Sequence, residues 1–286
     1  MKRDTNAAVL FISGQSNAHA HAQALPENEW ITQPLKNVFS LDRDPNQSFD
    51  ITDVVWSGFT TAGKNLGEIQ DHTASLGYHF AKLWQKAVDE GADLPDLYIV
   101  QISIGSQGIV NGMWNPEWKR SMVPGPLGEV NISLFPWAQQ VNRLVMQNLR
   151  NRGLEPTVIG WHWLGSEQEV WDEVYLREDF SSRYDYFFDT MLESIGAPCP
   201  LYIYKIHFEK ACAAFNLPTQ SCDYINAELL RQCSRHDGTV VDAAESPYWD
   251  AEGERFGIFR DNGHYLPWVQ QWFAEQFYNR VRAQFF

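Results

Sequence analysis

Residues Ala7–Asn17 read AAVLFISGQSN. Ala7–Ile12 is an unbroken apolar run with β-branched and aromatic members. That pattern suits a strand buried on both faces of a parallel sheet. Ser13-Gly14 ends the run, and Ser16 follows just past the carboxyl end of the strand. In open α/β sheets ligands bind at that end. Ser16 is therefore a candidate nucleophile close to the backbone N–H groups of whatever helix follows. The alternative is an ordinary strand-to-helix turn with Ser16 as a helix N-cap.

Outward from this stretch, apolar periodicities of two kinds alternate. Leu76, His79/Phe80, Leu83/Trp84 and Ala87/Val88 predict a helix, with Ser75 to cap its start and Gly91 to end it. Leu97–Ser103 predicts a second buried strand. Trp137–Leu149 predicts a helix stopped at Gly153, and Thr157–Trp163 a third strand. A helix over Tyr184–Ile195 ends at Gly196. Leu201–His207 predicts a fourth strand. Ile225, Leu229 and Cys233 mark a shorter helix closed by Gly238. Thr239–Val241 is a brief fifth strand, and Leu266–Phe286 a terminal helix with Pro267 in its first turn. Lys36–Thr73 reads as long loops. Gly108–Pro136 has no period, and a loop of that length is expected to wall a functional cleft.

This βα alternation, without repeat or linker, predicts an α/β fold. The expected form is a single three-layer α/β/α domain over residues 1–286, with a mainly parallel sheet of about five strands. No G-x-S-x-G is present, which counts against the α/β-hydrolase fold. With 286 residues there is ample chain for a large core.

Composition narrows the function. A formal charge of −14 argues against nucleic acid and anionic membranes as partners, since both call for a basic face. No apolar run approaches the ~20 residues of a membrane span. Twelve Trp and eleven Tyr suit a large core or a sugar-binding cleft. Cys199, Cys212, Cys222 and Cys233 lack paired CxxC spacing, so zinc is not expected there, and either free thiols or disulfides remain open. No leader-like stretch precedes Ala7, which leaves both a cytoplasmic location and secretion with the leader removed. Oligomeric state is not legible.

Four blocks carry a resemblance. Gly14-Gln15-Ser16-Asn17 resembles the nucleophile block of the SGNH hydrolase superfamily, in the branch of sialate O-acetylesterase-like proteins and carbohydrate acetylesterases. Gly105, in the glycine-rich exit of the second strand, falls where that family offers a backbone N–H to the oxyanion. Trp163-Leu164-Gly165-Ser166-Glu167 falls on the family's W-x-Q-G-E. It departs by placing Gly165 where a Gln donates and Ser166 where a Gly stands. Asp261-Asn262-Gly263-His264 matches the family's D-x-x-H, just before the terminal helix. Independently of family, Asp three residues before His in a turn can accept Nδ1–H and leave Nε2 free as base.

The resemblance implies a flavodoxin-like fold and a cofactor-free esterase acting on an acetylated carbohydrate. Ser16, His264 and Asp261 would be catalytic. Gly105, Asn17, Ser166, Gln15 and Glu167 would bind oxyanion or substrate. With Gly165 lacking a side chain, Asn17 or Ser166 is the expected extra oxyanion donor. Glu167 is either a positioning residue or a solvated carboxylate. Two other readings stand beside this one. The first is a metal pair at His19-Ala20-His21, residues otherwise taken as loop or substrate contacts. The second is a carbohydrate-binding protein without turnover.

Overall fold

The structure, a computed structural model, describes residues 6–43, 51–117, 123–125, 128–130, 133–249 and 259–285. In chain order its strands are β1 (Asn6–Gly14), β2 (Val38–Leu41), β3 (Trp56–Gly58), β4 (Asp96–Ser103), β5 (Val123–Gly125), β6 (Gly128–Val130), β7 (Glu155–Leu164), β8 (Leu201–Tyr204) and β9 (Thr239–Val241). The helices are α1 (Leu76–Asp89), α2 (Leu134–Asn151), α3 (Glu167–Trp171), α4 (Phe180–Ile195), α5 (Glu209–Phe215), α6 (Ser221–Arg235) and α7 (Pro267–Phe285).

β1 is the middle strand of a seven-stranded sheet ordered β3-β2-β4-β1-β7-β8-β9. All neighbours pair in parallel except β3, which runs antiparallel to β2 at one edge. Every residue of β1 is buried. The strand's period of two sends Ala7, Val9 and Phe11 into the core shared with α2, α4 and α6. It sends Ala8, Leu10 and Ile12 into the core shared with α1 and α7. Each fully buried Val, Leu, Ile or Phe side chain contributes about 1.5–3 kcal/mol, so an unbroken apolar run is what a strand between two helical layers requires.

The helix signals locate their elements closely. Ser75 Oγ accepts the Tyr78 N–H at 3.2 Å and starts α1. Gly91, at φ +91°, follows its end. α2 begins three residues before Trp137, because Pro136 is tolerated in a first turn whose N–H groups have no intrahelical partner. α4 closes on Gly196 in the left-handed region.

The sheet has seven strands rather than about five. The additional pair, β2 and β3, lies within the stretch expected to be loops, and each is too short for its period to show. The fourth strand stops at Tyr204 instead of His207. Helices α3 and α5, of five and seven residues, also carry no readable period. The expected cleft wall over 108–136 falls partly outside the described residues. Of the described part, Ile109, Val110, Met113 and Trp114 are buried in the core, and β5 and β6 form a separate hairpin. All four cysteines are free thiols, with Cys212 and Cys222 Sγ 3.8 Å apart. Among the described residues no helix is long and apolar enough to cross a membrane.

The exits of β1 and β7 meet at Gly14. The Gln15 N–H donates to Leu164 O at 2.9 Å. A Cβ on Gly14 would lie 2.0 Å from that same carbonyl oxygen, at a φ of +150°. Backbone cannot yield there as a flexible side chain could. Gly14→Ala should therefore destabilise the protein by roughly 3 kcal/mol or more, in the range of severe overpacking and strain. Urea unfolding followed by tryptophan fluorescence measures it. A loss below about 1 kcal/mol would show that the two strand exits part easily.

Candidate active site

At the carboxyl end of the sheet, Ser16 stands on the turn after β1, and Asp261–His264 arrive from the loop before α7. Ser16 Oγ and His264 Nε2 are 2.9 Å apart. His264 Nδ1 lies 2.8 Å from Asp261 Oδ2. An ionised carboxylate can only accept, so Nδ1 carries the proton and Nε2 presents its lone pair to the Ser16 hydroxyl. Asp261 Oδ1 accepts the Gly263 and His264 N–H groups at 3.0 and 2.9 Å. Arg260 Nη2 adds a contact to Oδ2 at 2.7 Å. Partial burial pulls the Asp261 carboxyl upward, but the bonds from Arg260, His264 and the two backbone N–H groups outweigh it and hold the group well below the usual carboxylate range.

Two amide side chains bind these segments together. Gln15 Oε1 accepts the Glu167 and Gln168 N–H groups at the start of α3, at 3.1 and 3.4 Å. Its Nε2 donates to Gln107 O, after β4, at 2.6 Å. Asn17 Nδ2 donates to Glu167 Oε1 at 2.8 Å and to Gly263 O at 3.0 Å, while Asn17 Oδ1 accepts the Tyr265 N–H at 3.0 Å. Both residues are buried.

This wiring corrects several expectations. Both amide protons of Asn17 are engaged, so it is a tie between β1, α3 and the histidine loop rather than a spare donor. Gln15 likewise spends its amide on backbone. Ser166 is buried beneath the cleft, where its hydroxyl meets Trp163 Nε1 at 3.2 Å and Tyr184 Oη at 3.0 Å. It does not line the cleft beside Ser16. A Cβ on Gly165 would sit 3.0 Å from the Trp163 ring, so the missing Gln and the Ser166–Trp163 contact are one packing arrangement. Glu167 is held, not freely solvated: burial raises its carboxyl, and the Asn17 amide only partly offsets this.

Gly105 sits beside Ser16, as expected, but its N–H donates to Glu68 Oε2 at 2.7 Å. Glu68 was not foreseen. It follows Gly67, whose close approach to Ser103 O lets the Glu68 N–H reach that oxygen at 2.8 Å. His19 is fully buried and so is no substrate contact, whereas the His21 ring stands 5.2 Å from that of His264.

The cleft above Ser16 has a volume of about 620 Å³. One side carries Trp171 and Asp172 at the end of α3, with Phe208 and Phe215 from α5 and the turn before it. Trp171 is 37% and Phe215 54% exposed, with ring centroids 4.6 Å apart. These aromatics were missed because both short helices were missed.

No family model and no curated protein matches this chain by sequence. Among solved structures, NanS matches over 98% of this chain and 99% of its own, with a TM-score of 0.59 and 13% identity. A protein from Arabidopsis thaliana matches over 99% of this chain and 100% of its own, with a TM-score of 0.58 and 14% identity. An acetyl xylan esterase from Geobacillus stearothermophilus stands at a TM-score of 0.47 and 10% identity, over 98% of this chain and 97% of its own. The likeness is one of architecture: the chain shares the α/β/α fold of NanS and of the Arabidopsis protein.

The Asn17 tie yields a stability test. Asn17→Ala strands the Glu167 carboxyl and the Tyr265 N–H, and should cost about 2–4 kcal/mol. Asn17→Asp instead places a second carboxyl against Glu167. Above the carboxyl range both groups ionise and repel, whereas acidification protonates one of them. The stability gap between Asn17→Asp and wild type should therefore narrow as pH falls from 7 to 5, as read by thermal melting. A gap independent of pH would place the two groups apart.

Proposed function

We propose that this protein is a serine esterase that removes O-acetyl groups from a carbohydrate. The reading rests on one observation: Ser16 Oγ, His264 Nε2 and Asp261 Oδ2 stand in hydrogen-bonded sequence at 2.9 and 2.8 Å where β1 opens into the cleft. In the proposed reaction Ser16 Oγ attacks the ester carbonyl carbon while His264 Nε2 takes its proton. Asp261, held ionised, accepts from Nδ1–H and stabilises the imidazolium. The oxyanion is held by the backbone N–H of Ser16, joined by that of Gly105 once the Glu68 carboxylate leaves it. His264 then returns the proton to the departing alcohol, and a water activated the same way releases acetate.

The carbohydrate part of the proposal draws on the Trp171–Phe215 shelf and on the GQSN resemblance. Exposed aromatic faces lend themselves to stacking on the apolar faces of sugar rings. The cleft is open enough for more than an acyl chain.

Ser16→Ala and His264→Ala should each abolish hydrolysis with no loss of fold, and the double variant should be little slower than either single, because the two act as a unit. Asp261→Asn should cost less than His264→Ala, since it orients the imidazole but carries no proton. Labelling of Ser16 by a fluorophosphonate, lost in His264→Ala, tests the same pair without a chosen substrate. An unlabelled wild-type protein would favour the second reading, carbohydrate binding without turnover, to which the Glu68 carboxylate on the Gly105 N–H lends some support. For the substrate class, Trp171→Ala and Phe215→Ala should raise KM for an acetylated oligosaccharide about tenfold, equivalent to ~1.4 kcal/mol, while leaving ethyl acetate hydrolysis unchanged. Equal effects on both esters would remove the sugar from the proposal.

The pH dependence follows from the same groups. Activity requires a neutral His264 and an ionised Asp261. Because Asp261 is held below the usual carboxylate range, mild acidification should leave its charge beside the imidazole in place. An Asp261 carboxyl that titrates in the ordinary carboxylate range, read by carboxyl-carbon NMR, would overturn this.

A further inference from the structure

Beside the Ser16–His264 pair, the hydrogen-bond wiring leaves three acceptor atoms facing one another. Asn65 Nδ2 donates to Glu68 O and Ser103 O at 2.9 and 3.0 Å, which turns Asn65 Oδ1 toward the Ser103 hydroxyl. That hydroxyl donates to it at 2.8 Å. Its single proton is then spent, so Ser103 Oγ accepts from His19 Nδ1–H at 3.0 Å. His19 Nε2 is left as a bare lone pair. Burial, reinforced by nearby His21 and His264, pushes the His19 imidazolium down to about 3 and keeps the ring neutral. Nε2 is buried without a hydrogen-bond partner among the described residues, and it points at Glu68 Oε2 across 3.5 Å.

His21 presents a second acceptor from the solvent side. Gln70 Oε1 accepts the Ala22 N–H at 2.9 Å, which aims the other end of that amide, Nε2, at His21 Nδ1 at 2.9 Å. His21 Nδ1 is therefore also an acceptor, 3.7 Å from Glu68 Oε1, but its lone pair takes the Gln70 proton, which an incoming ion would displace. A lone pair set against a carboxylate with no proton between is repulsive, and a buried acceptor without a partner costs about 1–3 kcal/mol. A cation among the three relieves both.

We propose that His19, His21 and Glu68 form a site for one divalent transition-metal ion of the zinc type, and that an ion there draws the Glu68 carboxylate off the Gly105 N–H. Two donors on a tetrahedral ion with bonds of about 2.0–2.2 Å stand roughly 3.3–3.6 Å apart. The observed 3.5 and 3.7 Å, measured to opposite oxygens of the Glu68 carboxylate, are close to that separation, and one ligand atom from each of the three residues lies within 4.8 Å of the others, so the set closes by about 1 Å around an ion. Two imidazoles and one carboxylate suit zinc and its first-row neighbours, whereas calcium and magnesium favour oxygen cages. The His19–Ser103–Asn65 chain is the kind of outer support that fixes a ligand's tautomer. The His21 side chain is 36% exposed, which leaves an open coordination position toward solvent.

The consequence for the neighbouring serine rests on the esterase reading. Without an ion, Glu68 Oε2 caps the Gly105 N–H and puts negative charge where an oxyanion would develop. With an ion, the carboxylate turns to the metal and the donor is released.

The test begins with the full chain stripped by chelator and titrated with Zn²⁺, then with Co²⁺ followed by its visible d–d absorption. One ion per chain is expected, with affinity weakened at least tenfold in His21→Ala and in Glu68→Gln, both checked for fold by circular dichroism. No binding, or binding equal in all three proteins, overturns the site. These readouts need no turnover, so they stand or fall apart from the esterase reading. Zn²⁺ should also raise kcat of the stripped wild type on an acetyl ester, while Glu68→Ala, with its Gly105 N–H already free, should gain nothing from the ion. A wild-type kcat unchanged or lowered by the ion overturns the release of Gly105.

Discussion

The contact of the β1 and β7 exits at Gly14 and Leu164 is the constraint from which the site follows. It fixes where Gln15, Ser16 and Asn17 leave the sheet. From that point Gln15 reaches across to the end of β4 and to the start of α3. Asn17 reaches across to α3 and to the loop that carries His264. The serine between them is aimed by neither its own rotamer alone nor a helix of its own. Two buried amides with all their polar atoms engaged do that work, and such networks are rigid only when fully satisfied.

What was legible in the sequence was what the double burial of the sheet centre imposes. β1, β4 and β7 are covered on both faces over their middles, so each reads as mostly apolar, with Gln101 and His162 the polar breaks in β4 and β7. The long helices show their period because one stripe of each is buried. β2 and β3 failed to show because they are short, lie toward the edge and gain order from a neighbour, β2 from β4 and β3 from β2, rather than from their own pattern. α3 and α5 are each under two turns, and with them went the aromatic shelf. Asp261 and His264 were readable because their partnership is local in sequence. Glu68 was not, because its meaning depends on His19 and Gly105, 49 and 37 positions away, and a lone carboxylate in a polar loop carries no spacing signal.

The altered third block has a physical explanation that a position-by-position comparison hides. Gly165 leaves room for the Trp163 ring, and the ring's N–H is satisfied by Ser166, which also meets Tyr184. Glycine and serine at these two positions therefore belong to one buried polar arrangement. Restoring a glutamine at 165 would drive its Cβ against the indole. Glycine at 165 offers no side-chain donor and leaves its space to the buried arrangement beneath the cleft.

Two carboxyls frame the histidine, and their surroundings push them in opposite directions. Asp261 receives side-chain and backbone donors on both oxygens and stays ionised. Glu167 is half-buried, its carboxyl sunk with one oxygen on Asn17 and the other without a partner among the described residues, and that burial raises the carboxyl. A group meant to stabilise an imidazolium must hold its charge while the ring gains one, which only Asp261 is equipped to do. Glu167 meets His264 through Asn17 and the Gly263 carbonyl. A charge change there is felt as a shift in the position of the histidine loop before it is felt as a field. The division is thus set by the donors: side-chain and backbone N–H groups crowd Asp261 and make it a charged partner for the His264 ring, while Glu167, tied to Asn17, fastens the loop.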